Sequence, residues 1–161
     1  MIVDKKLGAL FKCLSKETDR GIVIVVGTVI EERLARLLKE VLIHRRESDD
    51  FISRNLCGLE ARAKAAYCIG AISRREFEMI DFVRRIRNDF AHQFITDSFD
   101  GSLQAKKAKV FDALTKFLPG YNLKTMQTTR EAFETLAVHL ITTIWEREHE
   151  FEESDYIEER E

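Results

Sequence analysis

The chain has 161 residues, of which 45% are hydrophobic and 34% charged, and its formal net charge is −2. This length suits one ordinary globular domain, and a content of one proline and seven glycines favours long helices over a many-turned β fold. No apolar run is long enough to span a bilayer, and the first 15 residues lack the features of a signal peptide. We therefore expect a soluble cytoplasmic protein without membrane contact.

The first part of the chain predicts three helices. Apolar residues with helical spacing indicate an opening helix that ends near Glu17. A central helix follows over residues 21–42, and its β-branched start indicates that it is buried on all sides there. Residues 48–57 are polar and predict an irregular segment that can include a short helical turn. The alanine-rich residues 59–72 predict the third helix.

Two capping boxes mark the helices of the second part. Ser73 with Glu76 opens a fourth helix that runs to Phe90, and Thr128 with Glu131 opens the last helix.

Between them, residues 97–102 predict a loop, and residues 103–117 predict a fifth helix that is stopped by the Pro-Gly pair at residues 119–120. The predicted fold class is all-α, a single-domain helical bundle of about six or seven helices.

Acidic residues concentrate at the end of the chain. Residues 146–161 hold nine acids against Arg147 and Arg160, which leaves 24 bases and 19 acids in residues 1–145. We expect residues 1–145 to form the helical bundle domain and residues 146–161 to form an acidic C-terminal helix extension or tail, solvated at its surface. A partner-binding or autoinhibitory arm is the alternative.

The chain shows no recognisable catalytic apparatus. It has no glycine-rich phosphate loop, no His-Glu-x-x-His and no nucleophile elbow, and its four histidines lack metal-ligand spacing. Cys13, Cys57 and Cys68 form no C-x-x-C pair, so we expect reduced, buried and inert thiols, with a redox sensor as the alternative. We predict no enzyme activity, no metal and no cofactor.

One segment stands out, residues 87–92, with the sequence Arg-Asn-Asp-Phe-Ala-His. Helical angles place Arg87 on the apolar face of the fourth helix, whereas Asn88 and His92 lie together on its flank. A buried arginine needs a carboxylate, and we expect Glu31 to supply it, or else Asp19. A structural tie between two helices is the simpler interpretation of Arg87, and a functional site is the other.

Three stretches together resemble the mannitol operon repressor family. They are Glu-Thr-Asp-Arg-Gly at residues 17–21, Ala-Arg-Ala-Lys with Ala-Tyr-Cys-Ile-Gly within residues 61–70, and Ile-Arg-Asn-Asp-Phe-Ala-His at residues 86–92. The resemblance implies an α-helical protein tied to transcriptional repression of sugar-alcohol uptake. With Glu31, these stretches supply the candidate site residues, which are Asp19, Arg20, Arg62, Lys64, Arg87, Asn88, Asp89 and His92.

Arg87 and His92 also resemble the R-x4-H motif of HEPN domains, some of which cleave RNA. In such a site the imidazole exchanges a proton with a ribose hydroxyl while the guanidinium steadies phosphate charge. On a continuous helix the two residues point about 140° apart, so they converge only if the helix ends near Ala91 or a second subunit completes the site. A HEPN-type ribonuclease, or an inactive RNA-binding relative, is the alternative function.

Basic clusters at residues 44–46, 74–75, 84–85 and 106–109 offer the charge that a phosphate backbone needs. None of them opens a recognition helix after a short turn, and the pI is near 6.1. We therefore expect a bacterial transcriptional regulator that acts mainly through protein contacts, as a homodimer, with partners in sugar uptake or the transcription machinery. Direct DNA binding is left open.

Overall fold

The computed structural model describes residues 8, 12–42, 46–92, 99, 104–121 and 128–158, with side chains omitted for residues 104–108 and 152–158. Every regular element among these residues is helical, which confirms the all-α class. The elements are α1 (Asp19–Val41), α2 (Arg46–Asp50), a π-helical turn (Phe51–Asn55), α3 (Leu59–Cys68), α4 (Arg74–His92), α5 (Gln104–Phe117) and α6 (Thr129–Glu158).

Two elements differ from their predictions. Residues 46–55 are helical rather than irregular, and the Ser53 hydroxyl donates to the Asp49 carbonyl within them at 2.7 Å. Helix α3 ends at Cys68, four residues before the predicted end, because Gly70 adopts a φ of +78° that no helix continues through. Of the opening helix, residues 12–14 are helical, and most of it lies outside the described residues, as does the loop at 97–102 apart from Phe99.

Side-chain caps begin three of the helices. The Gly21 amide of α1 donates to the Thr18 hydroxyl at 3.0 Å. Both predicted capping boxes are present: the Glu76 amide donates to the Ser73 hydroxyl at 3.3 Å, and the Glu131 amide donates to the Thr128 hydroxyl at 3.1 Å.

The chain divides into two compact units, and the divisions fall inside α1, α4 and α6. Unit 1 comprises Met1–Val26 with Arg85–Val138. Its core includes three aromatic rings, with 5.1 Å between the ring centroids of Phe90 and Phe99 and 5.3 Å between those of Phe99 and Phe133.

Unit 2 comprises Gly27–Arg84 with His139–Glu161. Its core takes the apolar stripes of α1, α3, α4 and α6, with Ile30, Leu34, Leu37, Ala63, Ala66, Ile80, Val83, Leu140 and Ile144 all buried. The domain boundary predicted after Trp145 falls inside α6, which continues to Glu158. Within the described stretches, no helix is both long and apolar enough to cross a membrane.

The prediction of buried cysteines is wrong. Cys13, Cys57 and Cys68 are all exposed and reduced. Cys57 lies just before α3 and Cys68 is the last residue of α3, so these two occupy element ends, which lie at the surface.

Candidate functional site

The candidate residues fall in both units. Asp19, Arg20 and residues 87–92 belong to unit 1, whereas Glu31, Arg62 and Lys64 belong to unit 2.

In unit 1, Asp19 is the centre of a polar network at the start of α1. Its Oδ1 accepts a hydrogen bond from Nη1 of Arg130 at 3.1 Å, and its Oδ2 accepts one from the Phe99 amide at 2.8 Å. The carboxylate side chain is only 15% exposed, so both bonds act where water screens them weakly. Asp19 thereby joins α1 to the start of α6 and to the segment that contains Phe99.

Arg130 completes this network. Its Nε donates to Glu134 one turn later at 2.8 Å, and its Nη2 donates to the carbonyls of Leu14 and Ser15, each at 3.3 Å. A planar guanidinium can hold several acceptors at once because its five N–H donors are fixed in one fork. One partner of Asp19 is therefore an arginine on the last helix, which the sequence interpretation had not singled out.

The segment 87–92 lies on one continuous helix. Helix α4 extends through His92, so it does not end early enough to bring His92 round to Arg87. Arg87 and Asp89 are half-buried, whereas Asn88 and His92 are exposed. Within one copy the two motif side chains thus stay about 140° apart around the helix. The pairing of Arg87 with Glu31 or Asp19 remains a prediction, and so does a role for Arg20, which is half-buried in the first turn of α1.

In unit 2, Arg62 holds α3 against α1. Its Nε donates to the Leu56 carbonyl at 3.0 Å and its Nη1 donates to the Glu31 carbonyl at 3.1 Å. The same nitrogen lies 3.6 Å from Oε1 of Glu31. The sequence placed Arg62 and Glu31 among the candidates for separate reasons, and the structure brings them together as a half-buried tie.

Lys64 takes part in a more exposed charge cluster. Its Nζ donates to Oε1 of Glu60 at 2.6 Å, and Nη1 of Arg84 lies 3.3 Å from the other oxygen of that carboxylate. Arg84 also donates to Asp81 at 2.8 Å. The hydrogen bond from Lys64 and the charge of Arg84 lower the pKa of Glu60. The cations of this cluster are thus matched by neighbouring acids.

Two further ion pairs in unit 2 escaped the sequence interpretation. Nε of Arg147 donates to Oε1 of the buried Glu76 at 2.8 Å, and Nη1 of Arg33 donates to Oε2 of Glu148 at 3.0 Å. Glu148 follows Ile144 by one turn on the apolar stripe of α6. This helical position is the feature of the sequence from which its burial could have been predicted. Glu148 is therefore buried and paired, unlike the solvated side chain expected for the acidic segment.

The carboxylate of Glu76 has two roles. Its second oxygen accepts from the Ser73 amide at 2.5 Å, so the residue that caps α4 also holds α6. Burial raises the pKa of Glu76, but hydrogen bonds from Arg147 and Ser73 outweigh it and leave the pKa below its ordinary value. Glu76 is therefore ionised at neutral pH.

One cavity of unit 1 is too small for an ordinary ligand. A cavity in unit 1 holds about 70 Å³ and is lined by Leu14, Ile22, Val26, Glu134, Ala137 and Val138. Ligand pockets usually hold about 300–1,000 Å³. Among the described residues, no three histidine, cysteine, aspartate or glutamate side chains are grouped to hold a metal ion.

Comparison with known proteins gives a likeness of fold. No family model and no curated protein sequence matches the chain. A solved structure does match it, the MtlR chain of the MtlR-HPr complex from Escherichia coli, with a TM-score of 0.57 and 17% sequence identity. The match covers 86% of this chain and 97% of the MtlR chain.

The chain thus has an MtlR-like fold. This likeness agrees with the fold that the resemblance to the mannitol operon repressor family implied. At 17% identity it shows the fold alone, and membership of the family stays a prediction.

Proposed function

We propose that this chain is a bacterial transcriptional regulator of the mannitol-repressor type that acts by binding another protein. The observation that carries the proposal is the MtlR-like fold, which extends over nearly the whole MtlR chain of a complex with HPr. The partner proposed here is accordingly a small protein of the sugar-uptake machinery, of which HPr is the model.

Ion pairs of one arginine in each of two basic clusters, at residues 74–75 and 84–85, support protein contacts over DNA contacts. Arg74 is paired with Glu78 at 3.1 Å, and Arg84 is paired with both Asp81 and Glu60. A phosphate backbone would have to compete with these acids for Arg74 and Arg84, and that competition weakens the electrostatic attraction on which DNA binding depends. In this proposal the chain is neither an enzyme nor a direct reader of DNA sequence.

The proposal is tested by recovering complexes from native lysate with the tagged chain, with and without nuclease treatment. We expect the same protein partner to be recovered in both arms and to be identified by mass spectrometry as a sugar-uptake or transcription component. Recovery of RNA or DNA fragments, with every protein partner lost after nuclease treatment, would contradict the proposal and favour the RNA-binding alternative.

A further inference from the structure

Residues 12–17 form a turn of unit 1 that precedes α1, and we call these residues the strap. Leu14 is 5% exposed, whereas the other five side chains of the strap are exposed. Two backbone hydrogen bonds lie within the strap, from the Lys16 amide to the Cys13 carbonyl at 3.1 Å and from the Glu17 amide to the Leu14 carbonyl at 3.0 Å. The strap is therefore a compact turn that buries one apolar side chain.

Arg130, in the first turn of α6, holds the strap by its backbone. Its Nη2 donates to the carbonyls of Leu14 and Ser15, each at 3.3 Å. Basic side chains bind the carbonyls at the end of a helix in this way. Hydrogen bonds from N–H to oxygen are usually about 2.7–3.2 Å long, so these two are weak. The Arg130 side chain is 29% exposed, and water can take the place of either carbonyl.

Two carboxylates fix the rest of the Arg130 guanidinium. Nη1 donates to Asp19 of α1 at 3.1 Å, and Nε donates to Glu134 of α6 at 2.8 Å. Hydrogen bonds between charged groups are roughly twice as strong as neutral ones. The bonds from Arg130 to the strap should therefore break before the bonds that hold Arg130 to α1 and α6.

The cavity of about 70 Å³ in unit 1 lies against the strap, because Leu14 is one of its lining residues. Helices α1 and α6 supply the other lining residues, which are Ile22, Val26, Glu134, Ala137 and Val138. Atoms that face a void lose the packing contacts that a filled core would give them. Leu14 is therefore held less firmly than a side chain that is packed on all sides.

We propose that the strap opens locally while α1 and α6 stay folded, and that Arg130 keeps it closed. Segments with few buried apolar contacts open at a free energy below that of global unfolding. Opening removes Leu14 from the cavity and brings Ile22, Val26 and Ala137, which are buried in the closed state, towards solvent. The strap is thus a conformational device that uncovers an apolar surface of unit 1 without unfolding it.

Thiol labelling of Leu14→Cys in the full chain measures this opening. The three native cysteines are exposed and are first replaced by serine, so that only a thiol at position 14 reacts. Labelling requires position 14 to reach solvent. We expect the labelling rate to change little with urea below the unfolding transition, because a local opening exposes little surface. A rate that rises with urea as steeply as global unfolding does would overturn the proposal.

Three variants in this background test the roles of Arg130 and the cavity. Arg130→Met should raise the labelling rate by about tenfold. Arg62→Met is the matched control, because Arg62 also donates to two carbonyls but lies in unit 2, and its labelling rate should stay within about twofold of the background chain. Ala137→Val fills part of the cavity beneath Leu14 and should slow labelling.

Circular dichroism establishes that each of these variants keeps the helical content of the parent chain. Faster labelling in Arg130→Met alone, with slower labelling in Ala137→Val, is the expected result. Equal labelling rates in Arg130→Met and Arg62→Met, or a rate in Ala137→Val that is not reduced, would overturn the proposal.

Discussion

At the scale of single residues, individual charged side chains bind two elements at once. Glu76 caps α4 through the Ser73 amide and holds α6 through Arg147. We expect Glu76→Gln to lower the free energy of unfolding by about 1–3 kcal/mol, because a buried hydrogen-bonded ion pair is lost while Arg147 keeps partial access to water. Urea denaturation at neutral pH measures this change in the free energy of unfolding. Glu131→Gln, in the exposed capping box of α6, is the control and should cost less than about 1 kcal/mol.

The same residue predicts a pH dependence. The pKa of Glu76 is lowered in the folded protein, so its contribution to stability is present above the unfolded pKa and is lost as the pH falls through the lowered folded pKa. The difference in unfolding free energy between the parent chain and Glu76→Gln should therefore shrink on acidification from neutral pH to about pH 3. If the difference in unfolding free energy stays constant over this pH range, the charge of Glu76 contributes nothing to stability.

The Asp19 network makes a second prediction at this scale. Asp19 and Arg130 lie in direct contact, so their substitutions should not be additive. A double-mutant cycle with Asp19→Asn and Arg130→Met should give a coupling energy of about 0.5–3 kcal/mol by urea denaturation. Additive losses in unfolding free energy would mean that the two side chains stabilise the fold independently.

These residue pairs show which contacts can be predicted from the sequence and which cannot. Ser73 and Glu76 were predicted to interact because a capping box joins residues three apart, and local spacing fixes their geometry. Arg130 and Asp19 are 111 positions apart, and no spacing rule indicates that their helices meet. The sequence could show that a buried charge needs a partner, but the choice among distant partners depends on tertiary packing.

At the scale of elements, the turn at Gly70, directly after α3, fixes the direction of the chain into α4. Gly70→Ala should lower the free energy of unfolding by about 1 kcal/mol, because an alanine at a φ of +78° meets the steric cost of the left-handed region. Gly120→Ala is the matched control, since Gly120 has open space around its Cα and no positive φ. Thermal denaturation compares the two, and equal melting temperatures for both variants would refute the role given to Gly70.

The continuity of α4 bears on the ribonuclease alternative. Because α4 extends through His92, Arg87 and His92 cannot meet within one copy, and we expect no cleavage of labelled single-stranded RNA by the chain. His92→Ala should cost no more than about 1 kcal/mol of stability, as for an exposed polar side chain. Cleavage by the parent chain that disappears in a folded His92→Ala variant would make a site shared by two subunits the leading interpretation.

Element prediction succeeded where the pattern was long and periodic. The central helix and the two helices with capping boxes follow from repeated apolar stripes and from local start signals. The helical nature of residues 46–55 was missed because a short polar segment carries no periodicity, and its conformation depends on tertiary packing, here the burial of its own Ile52. The cysteines were misplaced because composition alone does not show that a residue lies at the end of a helix.

At the scale of the whole molecule, the fold of this chain is similar to that of MtlR although the two sequences are only 17% identical. Helical packing requires apolar stripes of suitable volume rather than particular residues, so 17% identity is compatible with a TM-score of 0.57 over most of both chains. The surface can therefore differ while the fold persists, and the partner of this chain must be established by binding.

The most direct measurement of the proposed function is a calorimetric titration of the purified chain with purified HPr, with MtlR from Escherichia coli as the positive control. We expect a saturable complex of one-to-one stoichiometry. Two exposed side chains map the contact, Ile69 in unit 2 and Tyr121 in unit 1. Loss of binding with Ile69→Glu alone places the contact in unit 2, and loss with Tyr121→Glu alone places it in unit 1. No heat of binding by this chain at concentrations where MtlR saturates would contradict an HPr-type partner, which is the central claim of the proposed function.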